Sequence, residues 1–132
     1  MSEPLDLRPP FTDATAAAKV QAIEDAFNAR DPDRVVGACT EDCDWRDRET
    51  IVRGRAEIRA LLTDQWERER DPRLSLSLWT FGADRIAVRV ASEHRDPDGR
   101  GRGSHGYELW RFDAGGLLTF RSATLTDAPA GP

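Results

Sequence analysis

Near Asp71-Pro72 the apolar residues of this chain stop recurring every three to four positions and begin to alternate, and that change of period limits the folds open to it. Upstream, Val20, Ile23 and Phe27, with Ala16, Ala17 and Ala26 beside them, form one face of a helix from Asp13 to Ala29, with Thr12 as its N-cap. Asp31 caps a short second helix that has Pro32 at its first position, where a missing N–H costs nothing, and Val35, Val36 and Cys39 inward. Ile58, Leu61, Leu62 and Trp66 mark a third helix that begins after Gly54 and is expected to stop at Asp71-Pro72. Between the second and third helices lie a strand at about 43–48 and an extended piece, Thr50 to Arg53. Downstream, Arg73–Phe81, Arg85–Asp96, Gly103–Phe112 and Leu117–Thr126 read as strands, joined by turns short enough to make antiparallel neighbours. Helices followed by a meander give an α+β domain.

A chain of 132 residues fits one domain, expected over 12–127, with a partly ordered arm at 1–11 and a frayed tail at 128–132. Its 24 acidic and 19 basic residues, well mixed, leave a net charge of -5, which argues against nucleic acid as a partner. No apolar run approaches the roughly 18 residues that span a bilayer, and the N-terminus lacks the basic and apolar regions of a signal peptide, so no membrane partner and a cytoplasmic location are expected. Cys39 and Cys43 have neither a Cys-x-x-Cys spacing nor supporting histidines and read as buried small hydrophobes.

Strand periodicity sorts the side chains by face, since residues two apart share one. Pairing Phe112 with Leu117 sets Glu108 opposite Arg121, an ion pair, and pairing Asp96 with Gly103 sets Arg89 opposite Trp110, with Glu93 on the same side. One face then carries Arg89, Glu93, Glu108, Trp110 and Arg121, and the other Ile86, Val88, Val90, His94, His105, Tyr107, Leu109 and Phe120. Either face can be the inner one. An ordinary sheet would turn the aliphatic face to the helices; a pocket protein would turn the charged face inward and leave an aliphatic outer face that calls for a second copy, hence a homodimer through the sheet.

The order Phe27-Asn28-Ala29-Arg30-Asp31, then the strand Asp42 to Asp47, Gly54-Arg55-Ala56-Glu57-Ile58 and Trp110-Arg111-Phe112-Asp113 with Gly116 resembles the nuclear transport factor 2-like superfamily across residues 12–127. Within its SnoaL-like branch, Trp45-Arg46, Arg48, Trp66, Leu78-Trp79, Arg85 to Arg89, Glu93, Glu108, Trp110, Phe112 and Asp127 are similar to one uncharacterised bacterial subfamily. The resemblance implies a cone: three N-terminal helices packed on a strongly curved, mainly antiparallel sheet around a pocket. It implies chemistry without cofactor or metal, of isomerase, cyclase or lyase kind, on a small, partly apolar organic molecule. Aligned without gaps on ketosteroid isomerases, which share this fold, Asp47 stands where they have a general base and Glu108 where they have a protonated acid; Ile23 stands in place of their oxyanion tyrosine, which disfavours steroid isomerisation.

The candidate site is therefore Asp47, Glu108 and Arg121 for chemistry, with Trp45, Trp79, Arg89, Glu93 and Trp110 for ligand contact. The plainer alternatives remain beside it: Asp47 as a surface ion-pair partner of Arg46 and Arg48, and the charges around Glu108 as a buried network that fixes the fold and binds nothing. His94 and His105 would face each other in this register, but nothing supplies a third metal ligand, and exposed histidines are the expectation. A non-catalytic ligand-binding module and an interaction domain using the outer sheet face complete the functional readings.

Overall fold

The computed structural model describes residues 7–48 and 50–129, so the first six residues of the expected arm and the last three of the expected tail lie outside the described residues. Helix α1 (Asp13–Asn28) opens with a reciprocal capping box: Thr15 N–H donates to Thr12 Oγ1 at 3.2 Å and Thr12 N–H to Thr15 Oγ1 at 2.8 Å. In α2 (Pro32–Gly37) the Asp31 carboxylate accepts from the Asp33 and Arg34 N–H groups, which holds Val35 and Val36 buried beneath it. The third helix, α3 (Arg55–Arg68), follows Gly54, which sits at φ 88° and donates its N–H to Cys43 O at 2.8 Å; a Cβ there would strain that turn. Ile58 and Leu62 form its buried stripe.

Six strands make one sheet: β1 (Cys39–Asp47), β2 (Thr50–Arg53), β3 (Arg70–Phe81), β4 (Arg85–Arg95), β5 (Gly101–Phe112) and β6 (Leu118–Pro129), in the order β2-β1-β6-β5-β4-β3. All neighbours run antiparallel except β1 and β6, which are parallel and seat Trp45 beside Arg121 and Asp47 beside Ala123. Register shifts in β1, twice along β3 and near Phe112 bend the sheet, as extra residues in one strand of a pair do, and it curves around the helices. The α1 helix is tied to its rim by one amide: Asn28 Nδ2 donates to Leu74 O and Leu74 N–H donates to Asn28 Oδ1, each at 3.0 Å, so this side chain pairs with the open edge of β3 as another strand would. At the narrow end Phe11 is buried, edge-on to Phe112 at 5.3 Å, and its N–H donates to Ala83 O.

The expected elements are present with several corrections. Asp71-Pro72 does not stop a helix: α3 ends at Arg68, and Pro72 lies inside β3, an edge strand, at a register shift where its missing donor breaks no ladder bond. The first strand begins at Cys39, four residues early, and β6 continues through Asp127, Ala128 and Pro129, paired with Ser104, Gly103 and Arg102, so that part of the expected tail is sheet. Of the three helices two are long and α2 is six residues. No helix of the described residues is long and apolar enough to cross a membrane.

One face of β4 is reversed from expectation. Ile86 pairs with Trp110, Val88 with Glu108 and Val90 with Gly106, which puts the aliphatic residues of β4 inside and turns Arg89 and Glu93 outward. The core thus combines both expected sets: Ile86 and Val88, wholly buried, lie on the same face as Trp110, Glu108 and Trp45.

Candidate active site in the cone

Between the helices and the inner sheet face lies a cavity of about 330 Å³. Leu61, Leu62 and Trp66 of α3, Phe27 of α1, Leu74 and Leu76 of β3, Val90 and Leu125 give it an apolar wall. Polar groups enter from β1, β5 and β6, and a second set lines the wall around them: Arg30, Arg48, Gln65, Glu69, His94 and Asp127.

Trp45 is 2% exposed, with the Arg121 guanidinium 4.8 Å above its ring and Phe27 stacked at 6.0 Å. Arg121 Nε and Nη2 donate to Glu108 Oε1 and Oε2 at 2.7 and 2.8 Å, a two-point pair, and Trp110 Nε1 donates to the same Oε1 at 2.8 Å. Burial disfavours the charge on Arg121, but the adjoining Glu108 carboxylate, with Asp47 and Cys39 nearby, outweighs it and holds the guanidinium above its ordinary range. Glu108 therefore acts as acceptor to three donors.

Asp47 projects from the end of β1 into the cavity. Its side chain is 36% exposed, yet Oδ1 is closed off from solvent and accepts no hydrogen bond among the described residues. Arg48 Nε stands 3.8 Å from it, beyond hydrogen-bond reach, because Arg48, at φ 54°, turns both Nη atoms to Asp127 at 2.8 and 2.5 Å. Opposite, Arg30 Nη1 donates to Glu69 Oε1 at 2.5 Å and the guanidinium lies over Trp66, while Gln65 Nε2 donates to Glu69 Oε2 at 3.2 Å. His94 Nδ1 is 3.9 Å from that same oxygen.

Of the eight residues singled out in the sequence, Asp47, Trp45, Glu108 and Arg121 come together in the cavity wall. Trp110, expected as a wall, is 1% exposed and lies behind the cavity, where it holds Glu108. Glu93 reaches only the rim, its backbone paired outward with Gly103, and the side chain is exposed. Trp79 and Arg89 are not in the cone: they stand on the outer sheet face, Arg89 stacked over the Trp79 ring at 5.3 Å and Trp79 edge-on to Tyr107 at 5.9 Å. The histidines do not oppose each other either. His94 pairs with Arg102 and faces the cavity, half-buried, and His105 pairs with Ala91 and faces out.

Sequence reasoning missed Arg30, Glu69 and Gln65, which come from two helix ends and a loop; the signal available was Glu69 four residues after Gln65, one helical turn along. It also missed Gly106, whose added Cβ would lie 2.0 Å from Thr124 O, the close backbone approach that an isolated strand glycine suggests. Cys39 and Cys43 are free and buried, as expected; contact with Cys39 and burial push the Cys43 thiol well up.

Solved structures share this fold at low identity. SalBIII, described as an epoxide hydrolase/cyclase-like enzyme in pyran ring formation in the polyether salinomycin, superposes with a TM-score of 0.74 at 17% identity, covering 88% of this chain and 92% of that one. BvnE pinacolase from Penicillium brevicompactum gives 0.68 at 16%, covering 81% and 82%, and a nuclear transport factor 2-like protein of unknown function from Burkholderia pseudomallei gives 0.71 at 20%, covering 87% and 90%. Among curated proteins none matches this chain in sequence. The model of one sequence family, a protein of unknown function designated DUF1348, matches residues 9–131. With that span matched and the cone in place, the chain belongs to the DUF1348 family, within the nuclear transport factor 2-like superfamily.

Proposed function

We propose that this protein takes a small, partly apolar organic molecule into the cone and moves a proton on it without a cofactor, Asp47 acting as the base. One observation carries the reading: Asp47 Oδ1 is a carboxylate oxygen enclosed at the cavity wall that accepts no hydrogen bond among the described residues, while the neighbouring acid–arginine contacts are hydrogen-bonded pairs. A carboxylate oxygen that accepts no hydrogen bond keeps its lone pairs open to a proton of a bound group. Arg121 and Glu108 orient the wall behind it, and Trp45 offers an indole edge. Two relatives of this fold are described as epoxide hydrolase/cyclase-like and as a pinacolase, which is compatible with chemistry in such a cone.

Native mass spectrometry of the purified protein identifies the occupant, and proton exchange on that molecule in heavy water then tests the base. Asp47→Asn should lose exchange even at a concentration of the molecule that saturates the variant; exchange at the wild-type rate in the variant removes Asp47 from the chemistry. A purely ligand-binding role is the alternative, favoured by the immobilised Glu108, which leaves no second free acid in the pair beside Arg121.

For the homodimer, the reason changes. The outer face keeps no β4 aliphatics, but Trp79 and Tyr107 are 55% and 47% exposed there, and this face is the one assigned to a second copy. Sizing at low micromolar concentration should give about twice 14.8 kDa, and a monomer would oppose the assignment.

A further inference from the structure

Charge inside the cone narrows the ligand further, given the reading that the cone holds a small organic molecule. Its wall holds three arginines against four inward carboxylates, those of Asp47, Glu69, Glu108 and Asp127. Every one of these arginines is already engaged. Arg121 meets both Glu108 oxygens, Arg48 meets both Asp127 oxygens, and Arg30 meets Glu69 while lying over Trp66. Arg30 Nε keeps no hydrogen-bond partner among the described residues, but an anionic ligand taking it would meet the Glu69 carboxylate already on that guanidinium, and taking Arg121 from Glu108 would leave a buried carboxylate, 7% exposed, without its counter-charge.

Asp47 is the reverse case. Its Oδ1 is shut off from solvent, accepts nothing among the described residues, and has Arg48 Nε at 3.8 Å. An ionised carboxyl group offers only acceptor sites, so what this oxygen lacks is an N–H or O–H donor, and a charged donor gives the shorter and stronger bond. Beside it the wall is hydrocarbon, from Leu61, Leu74, Leu76, Val90 and Leu125.

We propose that the ligand of the cone is an organic amine, held as its ammonium ion with an N–H donated to Asp47 Oδ1 and its hydrocarbon body against the aliphatic wall. With Glu69, Glu108 and Asp127 each hydrogen-bonded to one arginine, Asp47 is the carboxylate left over in the wall, and it gives the cavity the sign of field that draws such a cation in. The arginine that could reverse this, Arg48, is held by the Asp127 carboxylate, whose strand lies next to β1.

Three probes of one carbon skeleton test it on the whole chain at neutral pH: cyclohexylmethylamine, cyclohexylmethanol and cyclohexanecarboxylate, with binding read by ligand-observed NMR titration. The amine should bind at least about tenfold tighter than the carboxylate and tighter than the alcohol. In Asp47→Asn, with folding checked by circular dichroism, the preference for amine over alcohol should vanish while alcohol binding stays within a factor of about two. A carboxylate that binds as well as the amine, an alcohol that outranks it, or a preference that survives in Asp47→Asn overturns the proposal. Binding of none of the three is a different failure, since it overturns the pocket reading itself and this inference with it.

Discussion

Replacing Arg121 by Met should unfold this protein far more readily than replacing Asp47, although both line one cavity. Arg121 is 12% and Glu108 7% exposed, and the guanidinium also covers the Trp45 ring. Removing one member of such a pair strands the other charge in the interior and costs about 3–5 kcal/mol, within which loss of the cation–π contact counts for about 0.5–2 kcal/mol. For a domain of this size that is a drop in melting temperature of roughly 10–20 °C. Glu108→Gln alone should cost a comparable amount, because the arginine is left buried beside a neutral amide. The double variant Glu108→Gln/Arg121→Met should recover most of it: no charge remains, the new amide oxygen can still accept from Trp110 Nε1 as the carboxylate does, and the residual loss should be about 1–2 kcal/mol. Urea unfolding of the four proteins closes the cycle, with a coupling of at least about 2 kcal/mol expected. Additive single effects, or an Arg121→Met loss below about 1 kcal/mol, would refute the claim that this pair is desolvated and structural.

Asp47→Asn removes no hydrogen bond that Oδ1 makes among the described residues, so its stability should stay within about 1 kcal/mol of wild type in the same assay. Gly106→Ala should cost at or above the usual range of about 1–3 kcal/mol for overpacking, because the new methyl meets backbone, Thr124 O at 2.0 Å and Leu125 Cα at 3.1 Å, which no rotamer change relieves; wild-type stability of that variant would contradict the β5–β6 register. Three carboxyl groups are held below their ordinary range: Asp127 chiefly by the Arg48 hydrogen bond, Asp44 by that of Arg46, and Asp96 by the Arg100 backbone N–H. Groups lowered on folding stabilise the native state above their unfolded value, about 3.9, and lose that contribution as pH falls through the lower native values. The urea midpoint should thus owe no slope to them between about pH 5 and 8 and should fall below about pH 4. In Asp127→Asn the acid decline should be shallower, and an unchanged decline would show that the Arg48 pair contributes nothing.

The helices were legible because their ends are written in short-range chemistry. Thr12 and Thr15 bond each other and Asp31 accepts from Asp33 and Arg34, all within three residues, and no distant part of the chain is needed to predict those contacts. Asp71-Pro72 misled because the same dipeptide that ends a helix is tolerated at an edge strand, and which strand is an edge is a property of the whole sheet. The pairing of Arg30 with Glu69 was invisible for the same reason: 39 residues separate them, and only the packing of α1 on β3, the strand that follows Glu69 directly, joins them.

The site itself turned on loop parity. In the loop after β4, Asp96 N–H bonds Arg100 O and Asp96 Oδ1 accepts from Asp98 and Arg100, so the strands close at Arg95 opposite Gly101. The expected pairing of Asp96 with Gly103 is displaced from this by three residues, an odd number, and an odd displacement exchanges the two faces of a strand. Arg89 and Glu93 leave the cone on that account alone, and Val88 and Val90 enter it. At the next turn the error was two. Arg121 stands opposite Trp110 and not Glu108, yet it keeps its face, and an arginine is long enough to reach the diagonal neighbour, so the ion pair survived a wrong register. Parity also decides what the cavity can bind. Had Arg89 faced inward it would have supplied a cation outside the three ion pairs and a seat for an anion. With Arg89 stacked on Trp79 outside, the cone is left with Asp47 Oδ1 as a carboxylate oxygen that accepts no hydrogen bond among the described residues, which suits a cation and not an anion.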